Sequence, residues 1–206
     1  MKEFEAMKKI NDNYKTAVDS LSEDYDLDGR RDYQFSDEIK AQRLQERNSR
    51  FNAEIDAAAK KAVEAAAPEF AKLREKLRTY ITTSADPATL STLQALIAGG
   101  VQLSEAEIAA LADGAGYAVL RLLEGPSKGH VQAPNLDKLE ADLKELESHF
   151  RNLRAYRGGM AGASTETFWG RSASVGSVIQ QGMIDKFSGK VDEIAGRWAC
   201  VSGEGR

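Results

Sequence analysis

Residues 36–81 read SDEIKAQRLQERNSRFNAEIDAAAKKAVEAAAPEFAKLREKLRTYI, with one proline, Pro68, and no glycine. The stretch predicts one long helix. Ser36 is placed to cap its start, and Asp37 and Glu38 fall in the first turn, where the helix dipole favours negative charge. Apolar or small residues recur at Leu44, Phe51, Ile55, Ala58 and Ala62, and beyond Pro68 a second phase runs Phe70, Leu73, Leu77 and Tyr80. Such spacing makes a narrow seam along a rod, not a broad face on a compact core. Alanine is dense from Ala57 to Ala67, which lets a partner helix approach closely. Pro68 removes one backbone donor and is expected to kink or break the rod.

Upstream, residues 2–25 form a first helix. Its seam is Phe4, Met7, Asn11, Tyr14, Val18, Leu21 and Tyr25, alternating steps of three and four. That is the coiled-coil pattern. Asn11 is its one polar member, and two readings stay open: it faces solvent while Ile10 takes over the seam, or it is buried and fixes register. If the two helices fold back on each other, Asn11 and Asn48 lie at ~21 Å and ~18 Å from the turn at 1.5 Å per residue. They are then expected to meet and to pair their amides.

The connection contains Asp24-Tyr-Asp26-Leu-Asp28-Gly29, the first half of a calcium-loop pattern, and Asp32 falls at its ninth position. Alternating carboxylates at Asp24, Asp26, Asp28 and Asp32 can converge on a hard cation. The twelfth position is Phe35, not the bidentate Glu, and Arg30 and Arg31 offset the acidic charge. The other reading is an acidic turn between helices.

Downstream, Asp86-Pro87 starts a helix through Leu90, Leu93, Leu96 and Ile97 that stops at Gly99-Gly100. Ser104 and Glu107 form a capping box ahead of Ile108 and Leu111. Tyr117 to Leu123 makes a third short helix before Gly125-Pro126. Gly114 and Gly116 lack the preceding strand and the following Lys of a phosphate loop. Asn135 caps a helix with the heptad Leu136, Leu139, Leu143, Leu146, Phe150 and Leu153. A stretch rich in Gly, Ser and Ala follows, holding Phe168 and Trp169. The chain closes on an amphipathic segment with Ile184, Phe187, Val191, Ile194 and Trp198. Phe168, Trp169, Phe187, Val191, Ile194 and Trp198 are candidate partner-binding residues, aromatic anchors being the usual centres of helical interfaces. Alternatively, the last helix packs back on its own domain.

The expected fold is all-α: an elongated helical hairpin or coiled coil over 1–85, a small three-helix unit over 86–125, a heptad helix over 134–158, and a glycine/serine-rich segment with a terminal amphipathic helix over 159–206. Charge supports this division. Residues 1–85 carry 16 basic and 17 acidic side chains, 86–133 carry 2 and 5, and 134–206 carry 10 and 10. Balanced charge suits solvated rods, and the nearly uncharged middle suits a small core. A net charge of −4 gives no basic footprint for nucleic acid. The single cysteine excludes an internal disulfide framework and fits a reducing compartment. No apolar run approaches a membrane span, and no signal-peptide core opens the chain. His130 and His149 lack the neighbours of a zinc site or a nucleophile–base pair.

The pattern Leu96–Gly100, Leu103-Ser104-x-x-Glu107, Leu111 and Tyr117 to Leu123, behind a charged helical hairpin, resembles small proteins encoded near the head genes of tailed bacteriophages. The resemblance covers about residues 1–125. It implies a non-enzymatic virion or assembly role, scaffold-like or as an accessory head component, without a cofactor. The partners would be capsid or other virion proteins and further copies of the chain, in the host cytoplasm or the virion. The alternative is a phage-encoded binding protein that inhibits a host enzyme or defence system.

Overall fold

Phe4, Met7, Asn11, Tyr14 and Val18 are all buried along α1 (Lys2–Gly29), so the three-and-four alternation marks its inner face. The computed structural model describes residues 1–29, 35–82, 87–113, 115–153 and 175–202. α1 runs four residues beyond Tyr25, because Asp26-Leu-Asp28 holds no breaker and Gly29 is the first residue that favours another backbone. The first six positions of the calcium-like pattern therefore have helical backbone, not loop. Their side chains, and Asp32, lie outside the described residues.

α2 (Asp37–Thr82) passes through Pro68 without interruption. Pro68 lies on the exposed face, where the carbonyl it leaves unpaired can be hydrated. The expected break is corrected on this point, and so is the seam. The buried row is Phe51, Ile55, Ala59, Ala62, Ala66, Phe70, Leu73 and Leu77. Its steps are 4, 4, 3, 4, 4, 3 and 4. This is an eleven-residue repeat of ~3.67 residues per turn, close to the straight helix, and Ala59 replaces Ala58 in it. The same phase continues past Pro68. At the start of the helix Arg43 lies over the Phe35 ring, 4.2 Å from its centroid, and the Lys40 amide donates to the Ser36 carbonyl.

The remaining elements are α3 (Pro87–Ala98), α4 (Glu105–Ala112), α5 (Tyr117–Leu123), α6 (Leu136–Asn152), α7 (Val175–Arg197) and α8 (Ala199–Ser202). No strand occurs among the described residues, and the fold is all-α. None of the described helices is long and apolar enough to cross a membrane.

The chain divides into two compact units. One comprises Lys2–Phe70 and Lys144–Ile194. Its core gathers the inner row of α1, the first six members of the α2 row, Leu146, Phe150 and Leu153, and Ile184, Phe187, Val191 and Ile194 of α7. α7 runs antiparallel to α1, since Lys8 pairs with Asp192 and Lys15 with Asp185 at 2.6 Å. α6 runs parallel to α1, with contacts from Asn11 to His149 and from Tyr14 to Leu153.

The other unit comprises Met1, Ala71–Leu143 and Ala195–Arg206. Leu93, Val119 and Leu123 form its small core of short helices, with Leu90, Ile97 and Leu103 packed around them. α5 packs on both α3 and α4. The capping box is present: Ser104 Oγ accepts from the Glu107 amide at 3.3 Å, and Glu107 accepts from the Ser104 amide at 2.8 Å. Gly100, two residues past the end of α3, has a φ of +72°, the left-handed conformation that glycine adopts without steric cost. The Val101 amide donates to the Leu96 carbonyl and the Gly100 amide to the Ile97 carbonyl, both at 3.1 Å. Asn135 Oδ1 accepts from the Lys138 amide at 3.1 Å, capping α6. Asp142, 4% exposed, takes two hydrogen bonds from Arg197, at 3.0 Å from Nε and 2.5 Å from Nη2. Trp198 is fully buried.

Candidate functional site

A cluster of polar and aromatic side chains lies in the unit of residues 2–70 and 144–194. α1 carries Asn11 on its buried row, α6 carries His149 beside Leu146 and Phe150, and α7 carries Ile184 and Phe187. Asn11 Nδ2 donates to the Ile184 carbonyl at 3.2 Å, and Asn11 Oδ1 lies 2.9 Å from His149 Nε2. A carbonyl only accepts, so the Ile184 oxygen determines which way the amide faces. Oδ1 then faces the ring, and Nε2 must carry the proton.

The imidazole stacks on Phe187 with centroids 3.9 Å apart and planes 16° from parallel. Phe150 meets both rings edge-on, at 5.7 Å and 5.3 Å, and Phe70 of α2 meets Phe150 at 5.8 Å. Burial pulls the His149 pKa down to about 4, because the charged ring would lose its hydration among these side chains. The ring is neutral at physiological pH. Tyr14 donates to the Leu153 carbonyl at 2.8 Å, satisfying a backbone acceptor at the end of α6.

A cavity of about 370 Å³ opens beside His149, lined by Leu146, Ser148, Met183, Lys186 and Phe187. The Glu145–Lys190 ion pair, at 3.0 Å, lies one turn along it. Lys8 and Lys15 lie one turn either side of Asn11. Both ammonium groups are held above the usual lysine range by the hydrogen bonds they donate to Asp192 and Asp185 respectively. The Nε2 proton of His149 is taken up in the hydrogen bond to Asn11, which ties α6 to α1.

Of the residues expected to bind a partner, Phe187, Val191, Ile194 and Trp198 are each no more than 3% exposed. The chain's own helices fill the seam of α7, as the packing-back alternative anticipates. Phe168 and Trp169 lie outside the described residues. No cluster of histidine, cysteine or acidic residues able to hold a metal occurs among the described residues. The expected Asn11–Asn48 pair is not formed. The Asn11 amide is engaged by α6 and α7, and Asn48 Oδ1 has no partner among the described residues.

The sequence marked Asn11 as a seam position, but nothing local joins it to His149 across 138 residues. No protein-family model, curated protein or solved structure matches this chain.

Proposed function

We propose that the protein is a non-enzymatic structural or assembly component acting through helix–helix contacts, scaffold-like or accessory to the head of a tailed phage. The observation that carries this reading is the first part of α2. None of residues 37–50 is buried, and Ile39 is 46% exposed. Four turns of helix without a buried side chain draw little stability from their own core, since helices of this length depend on tertiary packing.

A second copy of the chain is the occupant that the segment fits. Asp37, Glu38 and Lys40 leave one end net acidic, and Arg43, Glu46, Arg47 and Arg50 leave the other net basic. Two such segments in antiparallel register set acid against base, the self-complementary arrangement of a two-fold interface. The phage assignment rests on the likeness of residues 1–125 to head-region proteins. Sedimentation from micromolar to millimolar concentration tests the reading, together with binding to the head proteins encoded in the same genome. Reversible self-association weakened by Ile39→Glu is expected. A strict monomer that binds none of those proteins would overturn it.

A further inference from the structure

We propose that the cavity between α6 and α7 is a binding site for a small amphipathic anion, a carboxylate or sulfonate on a compact apolar body. The inference stands apart from the assembly reading and rests on what lines the cavity. A volume of about 370 Å³ lies in the lower part of the range for small-molecule sites.

The apolar part of the lining comes from both helices. Leu146 of α6 and Phe187 of α7 are 1% and 3% exposed and belong to the core beneath the cavity. The His149 imidazole is stacked on Phe187 and held at Nε2 by Asn11, so this wall is in place before anything binds. A preformed wall spares a ligand the cost of ordering it. Met183 of α7 is 48% exposed and lines the same cavity. Its unbranched thioether side chain adapts to the outline of what it meets.

The polar part is positive. Lys186 and Lys190 stand one turn apart on α7 and both line the cavity. Glu145 of α6 pairs with Lys190 at 3.0 Å. Lys186 forms no ion pair among the described residues, and two ammonium groups against one carboxylate leave the lining one positive charge in excess. Ser148 accepts a hydrogen bond from Asn152 Nδ2 at 3.2 Å and keeps its hydroxyl proton for an acceptor. An ammonium group and a hydroxyl donor beside buried apolar side chains complement an anionic head on an apolar body. Lys186 would repel a cationic ligand. A sugar would set polar groups against Leu146 and Phe187 without partners.

The test titrates the full chain with octanoate and with 2-naphthoate, one aliphatic anion and one aromatic, and follows backbone amide and methionine methyl NMR signals. Both anions are expected to shift Ser148, His149, Met183 and Phe187 with a single saturating midpoint. Octanol, which lacks the charge, and octylammonium, which reverses it, should bind more weakly. Lys186→Glu should weaken octanoate about tenfold and leave octanol within about twofold. Met183→Ser should weaken octanoate and octanol alike. Both substituted side chains are exposed, so the variants are expected to keep the fold. No saturable shift with either anion, octanol binding as tightly as octanoate, or octanoate binding indifferent to Lys186→Glu would each overturn the site. Self-association lost in Met183→Ser would assign the cavity to a second copy and overturn it as well. Failure of anion binding with self-association intact would remove the site and leave the assembly reading standing.

Discussion

Asn11 and His149, 138 residues apart, are joined by a 2.9 Å hydrogen bond between Oδ1 and Nε2. The bond crosses from α1 to α6, and the same amide reaches the backbone of α7 through Nδ2. A polar residue on a heptad seam is thus satisfied from two other helices, and register is set by a three-way junction.

Substituting Asn11 by Leu strands the His149 donor and should cost ~1–3 kcal/mol. Asn48→Leu should be close to neutral or stabilising, because its Oδ1 lacks a partner among the described residues. Urea denaturation of the two single variants and the double should show additivity within ~0.5 kcal/mol. A larger coupling would place the two asparagines in contact and contradict the junction.

The eleven-residue row on α2 makes a sharper distinction between neighbours. Ala59 is fully buried and Ala58 is not. Ala59→Leu should overpack the helix interface at a cost of ~1–3 kcal/mol. Ala58→Leu should cost less than about 1 kcal/mol. Thermal denaturation that ranked them the other way would restore the heptad phase.

The Asp142–Arg197 pair is asymmetric in burial, with side chains 5% and 22% exposed. Arg197→Met leaves a buried carboxylate and should cost about 3 kcal/mol. Asp142→Leu should cost less, because the long guanidinium side chain can turn toward water. Equilibrium unfolding of both variants checks the order, and a larger loss for Asp142→Leu would show that the arginine is the more trapped partner.

The local elements were legible because their causes are local. Phe4 to Val18 declare a helix face by spacing, Ser104 and Glu107 declare a helix start, and Gly99-Gly100 declares a stop. Each depends on residues within two turns of one another. Pro68 shows where local reasoning misleads. The missing donor is real, but on an exposed face the unpaired carbonyl finds water, and the flanking Ala66 and Phe70 remain packed. Ala59 against Ala58 shows a second limit, because a run of alanines carries no phase until neighbouring helices choose one.

By itself the sequence determined that the chain is all-helical, where most helices begin and end, and which residues on α1 and α6 point inward, because periodicity and capping are properties of short segments. Tertiary structure decided what those faces meet. Asn11 pairs with His149 and not Asn48. Phe187 and Trp198 are buried in the chain's own cores and not displayed. Asp142 is neutralised by an arginine 55 residues away. Such pairings follow from which helices share a core. Many registers of apolar seams have nearly equal energy, and the buried polar groups select among them by the cost of going unpaired.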